Sequence, residues 1–146
     1  MPNIVMADKG TTPTFKKITD VSVSAQNSVD ITVPDNVKSN CVRYVLFLNV
    51  TFSASSKFVV YANSATTANR VCQMTSNANS ASGAVYVSKF TSETNGSITA
   101  GACMIGQSTI GSSGLRTTVS TPNKFVVTSA TSGSTMTGTI ELWGWV

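Results

Sequence analysis

Residues 42–52 read VRYVLFLNVTF and, after the polar break Ser53-Ala54-Ser55-Ser56, residues 57–62 read KFVVYA. With a period of two, one face of the first run is Val42, Tyr44, Leu46, Leu48, Val50 and Phe52, apolar or aromatic throughout, as a strand against a core requires. The opposite face is Arg43, Val45, Phe47, Asn49 and Thr51, polar at its ends and apolar in the middle. A solvated antiparallel strand is polar along that whole face, so a second layer or another subunit is expected to cover Val45 and Phe47. Phe58, Val59, Val60 and Tyr61 are again apolar on both faces. The break between the runs is short enough for a hairpin, and the pair is expected to nucleate an all-β domain.

Outward from that pair, the chain reads as short strands separated by turn signals. Phe15 to Ser24 is an expected strand with Phe15, Val21 and Val23 on one face. Ser28 to Val33 alternates, with Val29, Ile31 and Val33 inward, and Pro34-Asp35-Asn36 ends it because proline cannot donate to a ladder. Residues 63–82 are the least legible, with a short strand expected at Arg70 to Met74 and a helical turn allowed near Ala65 to Val71. Ala84 to Phe90 places Tyr86 and Phe90 on one face, Val85 and Val87 on the other. The Asn95-Gly96 dipeptide is a hairpin signal, and Ile98 to Ile105 is the expected return strand. Further strands are expected at Leu115 to Ser120 and Lys124 to Thr131. In the last strand, Thr137 to Val146, Ile140, Leu142 and Val146 share one face; Glu141, Trp143 and Trp145 share the other. Periodicity alone allows either face to be the core. Tryptophans directed away from a core are characteristic of protein–protein contacts.

Eight to ten such strands without an amphipathic helix predict a single-domain antiparallel β-sandwich, jelly roll or barrel. Residues 1–13 read as an extended N-terminal arm with a small apolar cluster at Ile4, Val5 and Met6, and residues 14–146 as the sandwich domain. Such an arm gains order by lying on something, with a neighbouring subunit as the natural candidate and its own domain as the alternative.

Composition narrows the function. At 146 residues with 41% hydrophobic content, the chain can bury a proper core, while only 11% of residues are charged, against about 25% in an average soluble domain. Ser and Thr supply roughly three residues in ten. Few charges and many small hydroxyls suit a surface in contact with copies of itself or with partners. The net charge of +4 is scattered, with no clustered basic footprint, so nucleic acid is not the expected partner, although an acidic surface is compatible. The start of the chain lacks the pattern of a signal peptide, and no apolar run has the length of a membrane helix. Synthesis in a cytoplasm is expected, with Cys41, Cys72 and Cys103 as free thiols.

The catalytic inventory is thin. The chain has no histidine, which removes the imidazole base and most transition-metal sites. Its cysteines form no C-x-x-C pair, and its six acidic residues are dispersed. The GQSTIGSSG stretch at 106–114 lacks the Gly-Lys-Ser/Thr ending of a phosphate cradle. Tyr44, Phe47, Phe52, Phe58 and Tyr61 are expected in a core rather than on a base-stacking platform. No enzymatic activity, cofactor or metal is expected.

The short N-terminal arm, the SVDITVP strand, YVLFLNV leading into KFVVYANSA, and the closing GTIELWGWV resemble small β-sandwich or jelly-roll structural proteins of tailed-bacteriophage virions. These are capsid cement or decoration proteins and the domains that tip tail fibres. The resemblance implies a jelly-roll-like domain, a homo-oligomer (often a trimer in such families), the major capsid protein as partner, residence in the virion, and no cofactor. Alternatives are a tail-tip receptor-binding module gripping saccharide and a coat protein contacting the genome. The partner-binding residues expected are Pro2, Ile4, Val5 and Met6 on the arm, and Val45, Phe47, Trp143 and Trp145 on strands.

Overall fold

A computed structural model describes residues 12–38, 43–90, 97–102, 110–111 and 122–146, with side chains for 12–38, 43–87 and 122–146. These residues form an all-β sandwich of two antiparallel five-stranded sheets. The first sheet contains, in spatial order, β1 (Phe15–Gln26), β10 (Met136–Trp145), β3 (Arg43–Ser56), β6 (Ala78–Phe90) and β7 (Ser97–Ala102). The second contains β2 (Ser28–Thr32), β9 (Lys124–Ser129), β4 (Phe58–Ala62), β5 (Arg70–Met74) and β8 (Ile110–Gly111). Just before β1, Thr14 exchanges backbone hydrogen bonds with Val146 at 3.1 and 3.0 Å. The expected arm, including Pro2, Ile4, Val5 and Met6, lies outside the described residues up to residue 11. The expected Asn95-Gly96 turn and the expected strand at 115–120 also lie outside them.

The core follows the alternation. Tyr44, Leu46, Leu48, Val50 and Phe52 of β3 are buried with Val29, Ile31 and Val33, Phe58 and Val60, Val85 and Val87, Phe125 and Val127, and Ile140 and Leu142. Tyr44 and Phe125 meet edge-on across the sheets, with ring centroids 5.5 Å apart, the T-shaped arrangement that aromatic quadrupoles favour. The aliphatic side of β10 faces inward, which leaves Trp143 and Trp145 on the outside. Among the described residues, only turns of helix interrupt the strands, at Asp35–Lys38 and Thr67–Asn69.

Two expectations are corrected. β3 and β4 are not a hairpin: β3 pairs with β10 and β6, whereas β4 pairs with β9 and β5 in the other sheet. A tight hairpin needs residues that accept positive φ, such as Asn-Gly, and Ser-Ala-Ser-Ser offers none. The strand instead runs on to Ser56, and the chain crosses between sheets at Lys57. Buried serines hold this crossing. The Ser56 and Ser129 hydroxyls lie 2.7 Å apart, the Thr131 amide donates to Ser56 Oγ at 3.0 Å, and Ser134 Oγ donates to the Ala54 carbonyl at 2.7 Å.

The second correction concerns β1. Lys17 pairs with Trp143 but Thr19 pairs with Leu142, so Ile18 is an extra residue, a β-bulge. One inserted residue reverses the parity of a strand whose side chains alternate. Val21 and Val23 therefore sit opposite Ile140 and Gly138 on the core side. Phe15, expected on their face, sits opposite Trp145 on the outer side.

Candidate functional site: an aromatic sheet face

The outer face of the first sheet is a grid set by register. Phe15 lies beside Trp145; Lys17, Trp143, Val45 and Tyr86 form the next row; Asp20, Glu141, Phe47 and Ala84 form the third. Beyond them the face turns polar, with Ser22, Thr139, Asn49 and Ser82 in one row. Aromatic side chains thus crowd one end of the face and small hydroxyls the other.

The rings contact one another. Phe15 lies 5.2 Å from Trp143 and 4.5 Å from Trp145 between centroids, and Phe47 meets Trp143 edge-on at 6.0 Å and 85°. Trp143 Nε1 donates to Glu141 Oε2 at 2.7 Å, which fixes the indole and occupies the carboxylate at the centre of the patch. Despite these contacts, Phe15 remains 38% exposed, Phe47 36% and Tyr86 48%. Val45 is only 1% exposed, set between its cross-strand neighbours Trp143 and Tyr86. The layer expected over Val45 is thus, in part, side chains of its own sheet, while Phe47 stays open. At the corner of the face, Arg43, Tyr44, Tyr86, Val87 and Trp145 line a shallow pocket of about 160 Å³.

The second sheet presents a different outer face. Val59 and Val126 are buried there, next in register to Tyr61, Asp30 and Gln73. Long polar side chains engage one another across it: Lys124 Nζ donates to Asp30 Oδ2 at 2.7 Å and Arg70 reaches Gln73 Oε1 at 3.4 Å. Large exposed hydrophobics among the described residues are confined to the first sheet, at Phe15, Phe47 and Tyr86. An exposed contiguous apolar patch with a polar rim is the usual mark of a binding surface.

Of the strand residues expected to bind partners, Val45, Phe47, Trp143 and Trp145 are brought together here, with Val45 as the buried floor. Phe15, Tyr86 and Arg43 belong to the same surface and were missed. Tyr86 carried a signal, since its strand mates Val85 and Val87 alternate with it. Phe15 carried none, because the bulge that turns it outward leaves no mark in the hydrophobic pattern. Of the five aromatics expected in a core, Tyr44, Phe52 and Phe58 are there, whereas Phe47 stands on this open face and Tyr61, opposite Val126, is half-buried on the outer face of the second sheet.

Among the described residues no three or more Cys, Asp or Glu side chains gather in a metal-binding arrangement, and no helix is long and apolar enough to cross a membrane. The site is thus defined by apolar area and aromatic shape, with Arg43 and Lys17 as its cations. No known protein family, curated protein or solved structure matches the chain.

Proposed function

We propose that this chain is a structural subunit of a virus particle, a capsid decoration or cement protein that acts by burying sheet-face and arm contacts against its neighbours. The observation that carries the reading is the exposed aromatic face on a sandwich whose other outer face is closed by polar side chains. The strand order supports a jelly roll: β1 pairs with β10, β2 with β9, β3 with β6 and β4 with β5, the nesting produced by rolling up one long antiparallel hairpin. That architecture is common to viral shell proteins and lectins, so its support for a virion role is by analogy.

Magnitude shapes the mechanism. Phe15, Phe47 and Tyr86, each with roughly 70–100 Å² still open, would release on the order of 5–8 kcal/mol at about 25 cal/mol per Å². Association costs roughly 4–15 kcal/mol in lost freedom, so one such contact is weak alone and becomes firm only when several act together, as on a repeating shell. In this reading the segment from Pro2 to Met6 adds strand-like backbone hydrogen bonds along the major capsid protein. Deleting residues 2–13 should leave a cooperatively folding sandwich that no longer co-sediments with shells. Undiminished occupancy on particles would refute the mechanism.

The tail-tip saccharide reading has one observation in its favour, the corner pocket beside Arg43, Tyr86 and Trp145. Its volume of about 160 Å³ is near half the roughly 300 Å³ at which small-molecule sites begin, so it ranks second.

A further inference from the structure

We infer that the aromatic face pairs with the same face of a second copy of this chain, about a two-fold axis running along the strands between β3 and β10. This rests on the reading of the face as an interface and names its occupant. Such an axis carries β10 of one copy over β3 of the other, and β1 over β6. The register then dictates what meets. Trp143 lies over Val45 of the second copy, a large side chain above the lowest point of the face. Glu141 lies over Phe47, and Thr139 over Asn49, polar on polar. Lys17 and Tyr86, which flank the Trp143–Val45 pair on either side, come to face each other between copies. Trp145 and Arg43, which share the corner pocket, do the same.

Each cation of the face thus meets an aromatic ring, the geometry of a cation–π contact, and no like charges are opposed. The other in-plane two-fold axis, across the strands, would set Lys17 against Lys17 and oppose the two copies' Tyr86 and Trp143 rings. Either axis keeps the strands of the two copies aligned, as two twisted sheets pack, so the side chains that meet, and not the strand directions, choose between them.

Area sets the strength. Four strands spaced by about 4.8 Å and four rows spaced by about 6.8 Å cover roughly 500 Å² per copy, about 1,000 Å² in all. Specific interfaces begin near that total and stable ones average about 1,600 Å². The pairing is therefore reversible and concentration-dependent rather than permanent.

The test is sedimentation equilibrium of the full chain from micromolar to near-millimolar concentration, with tryptophan emission followed in parallel. Both tryptophans of the chain lie on this face, so their emission should shift to the blue as the mass rises from one chain to two. Tyr86→Lys opposes two cations and should weaken pairing about tenfold or more, and adding Lys17→Glu should restore it by charge complementarity. Thermal unfolding checks that each variant folds. A single-chain mass throughout, a three-chain mass, or pairing indifferent to Tyr86→Lys in a folded variant would overturn the inference. A single-chain protein that still coats shells would overturn this pairing alone; a two-chain species that ignores shells would overturn the decoration role alone.

Discussion

Replacing Gly138 by alanine should damage the sandwich far more than the same change at Gly133. Both glycines have positive φ, +148° at Gly138 and +79° at Gly133. Around Gly133, in the turn before β10, nothing lies within 4 Å of an added Cβ. The cost there is conformational only, about 1 kcal/mol. Gly138 sits mid-strand between Val23 of β1 and Val50 of β3. A Cβ there would be driven into the Asn49 carbonyl oxygen and would lie 2.9 Å from Val50 Cα. Both obstacles are backbone, so no rotamer relieves them, and β10 must separate from β3. Backbone strain of about 1–3 kcal/mol adds to overpacking of about 1–3 kcal/mol, giving roughly 2–6 kcal/mol. That is a large part of the 5–15 kcal/mol that holds a typical domain together. Urea unfolding followed by far-ultraviolet circular dichroism, with unchanged m-values, would measure the difference. At about 2–4 °C per kcal/mol, the thermal midpoint should fall by roughly 5–20 °C for Gly138→Ala and by a few degrees for Gly133→Ala. Equal losses within about 1 kcal/mol would refute the close approach of β10 to β3.

Further outcomes are expected at three residues. Burial pushes the Cys72 thiol up from 9.0 to about 12. In a Cys41→Ser/Cys103→Ser background, iodoacetamide at neutral pH should therefore label Cys72 only at the rate of unfolding. Because the folded pKa is the higher one, the thiol's contribution to stability should be level below pH 9 and decline above it until about 12, by up to about 1.4 kcal/mol per pH unit, read as the difference from Cys72→Ala in urea titrations at stepped pH. Ser56→Ala strips the Thr131 amide and the Ser129 hydroxyl of a shared buried partner and should cost about 2–3 kcal/mol in the same unfolding assay. Glu141→Ala should free the Trp143 indole, costing about 1 kcal/mol and red-shifting tryptophan emission, while Glu141→Gln keeps an acceptor in place and shifts it little.

Much of the sandwich is legible in the chain because its core strands alternate strictly. Val29, Ile31 and Val33, the even-numbered side of 44–52, and the Ile140–Leu142 side all point inward as their spacing demands. What escaped reading has physical causes. Two adjacent runs, each apolar on both faces, look like a hairpin because periodicity says which residues are covered and not by which sheet. The Ser-rich break looks like a solvated loop, yet its Ser56, and Ser134 from the turn before β10, are completely buried because hydrogen bonds across the crossing satisfy them. Half of the aromatic face was visible through Val45, Phe47, Trp143 and Trp145. Tyr86 waited on knowing that its strand lies beside β3, and Phe15 on knowing where β1 bulges.

The extra residue at Ile18 divides β1 into two reading frames, one tuned to the exterior and one to the interior. Substitutions in either half act locally, and removing Ile18 itself would leave Lys17 opposite Trp143 and Thr19 opposite Leu142 as consecutive residues of an unbroken ladder. Phe15 would stay outside and Val21 and Val23 inside, because strict alternation over that shortened run sends them to opposite faces. Length in this short stretch is thus guarded against gain rather than loss: one further inserted residue would need a second bulge, or would turn one half of the strand over.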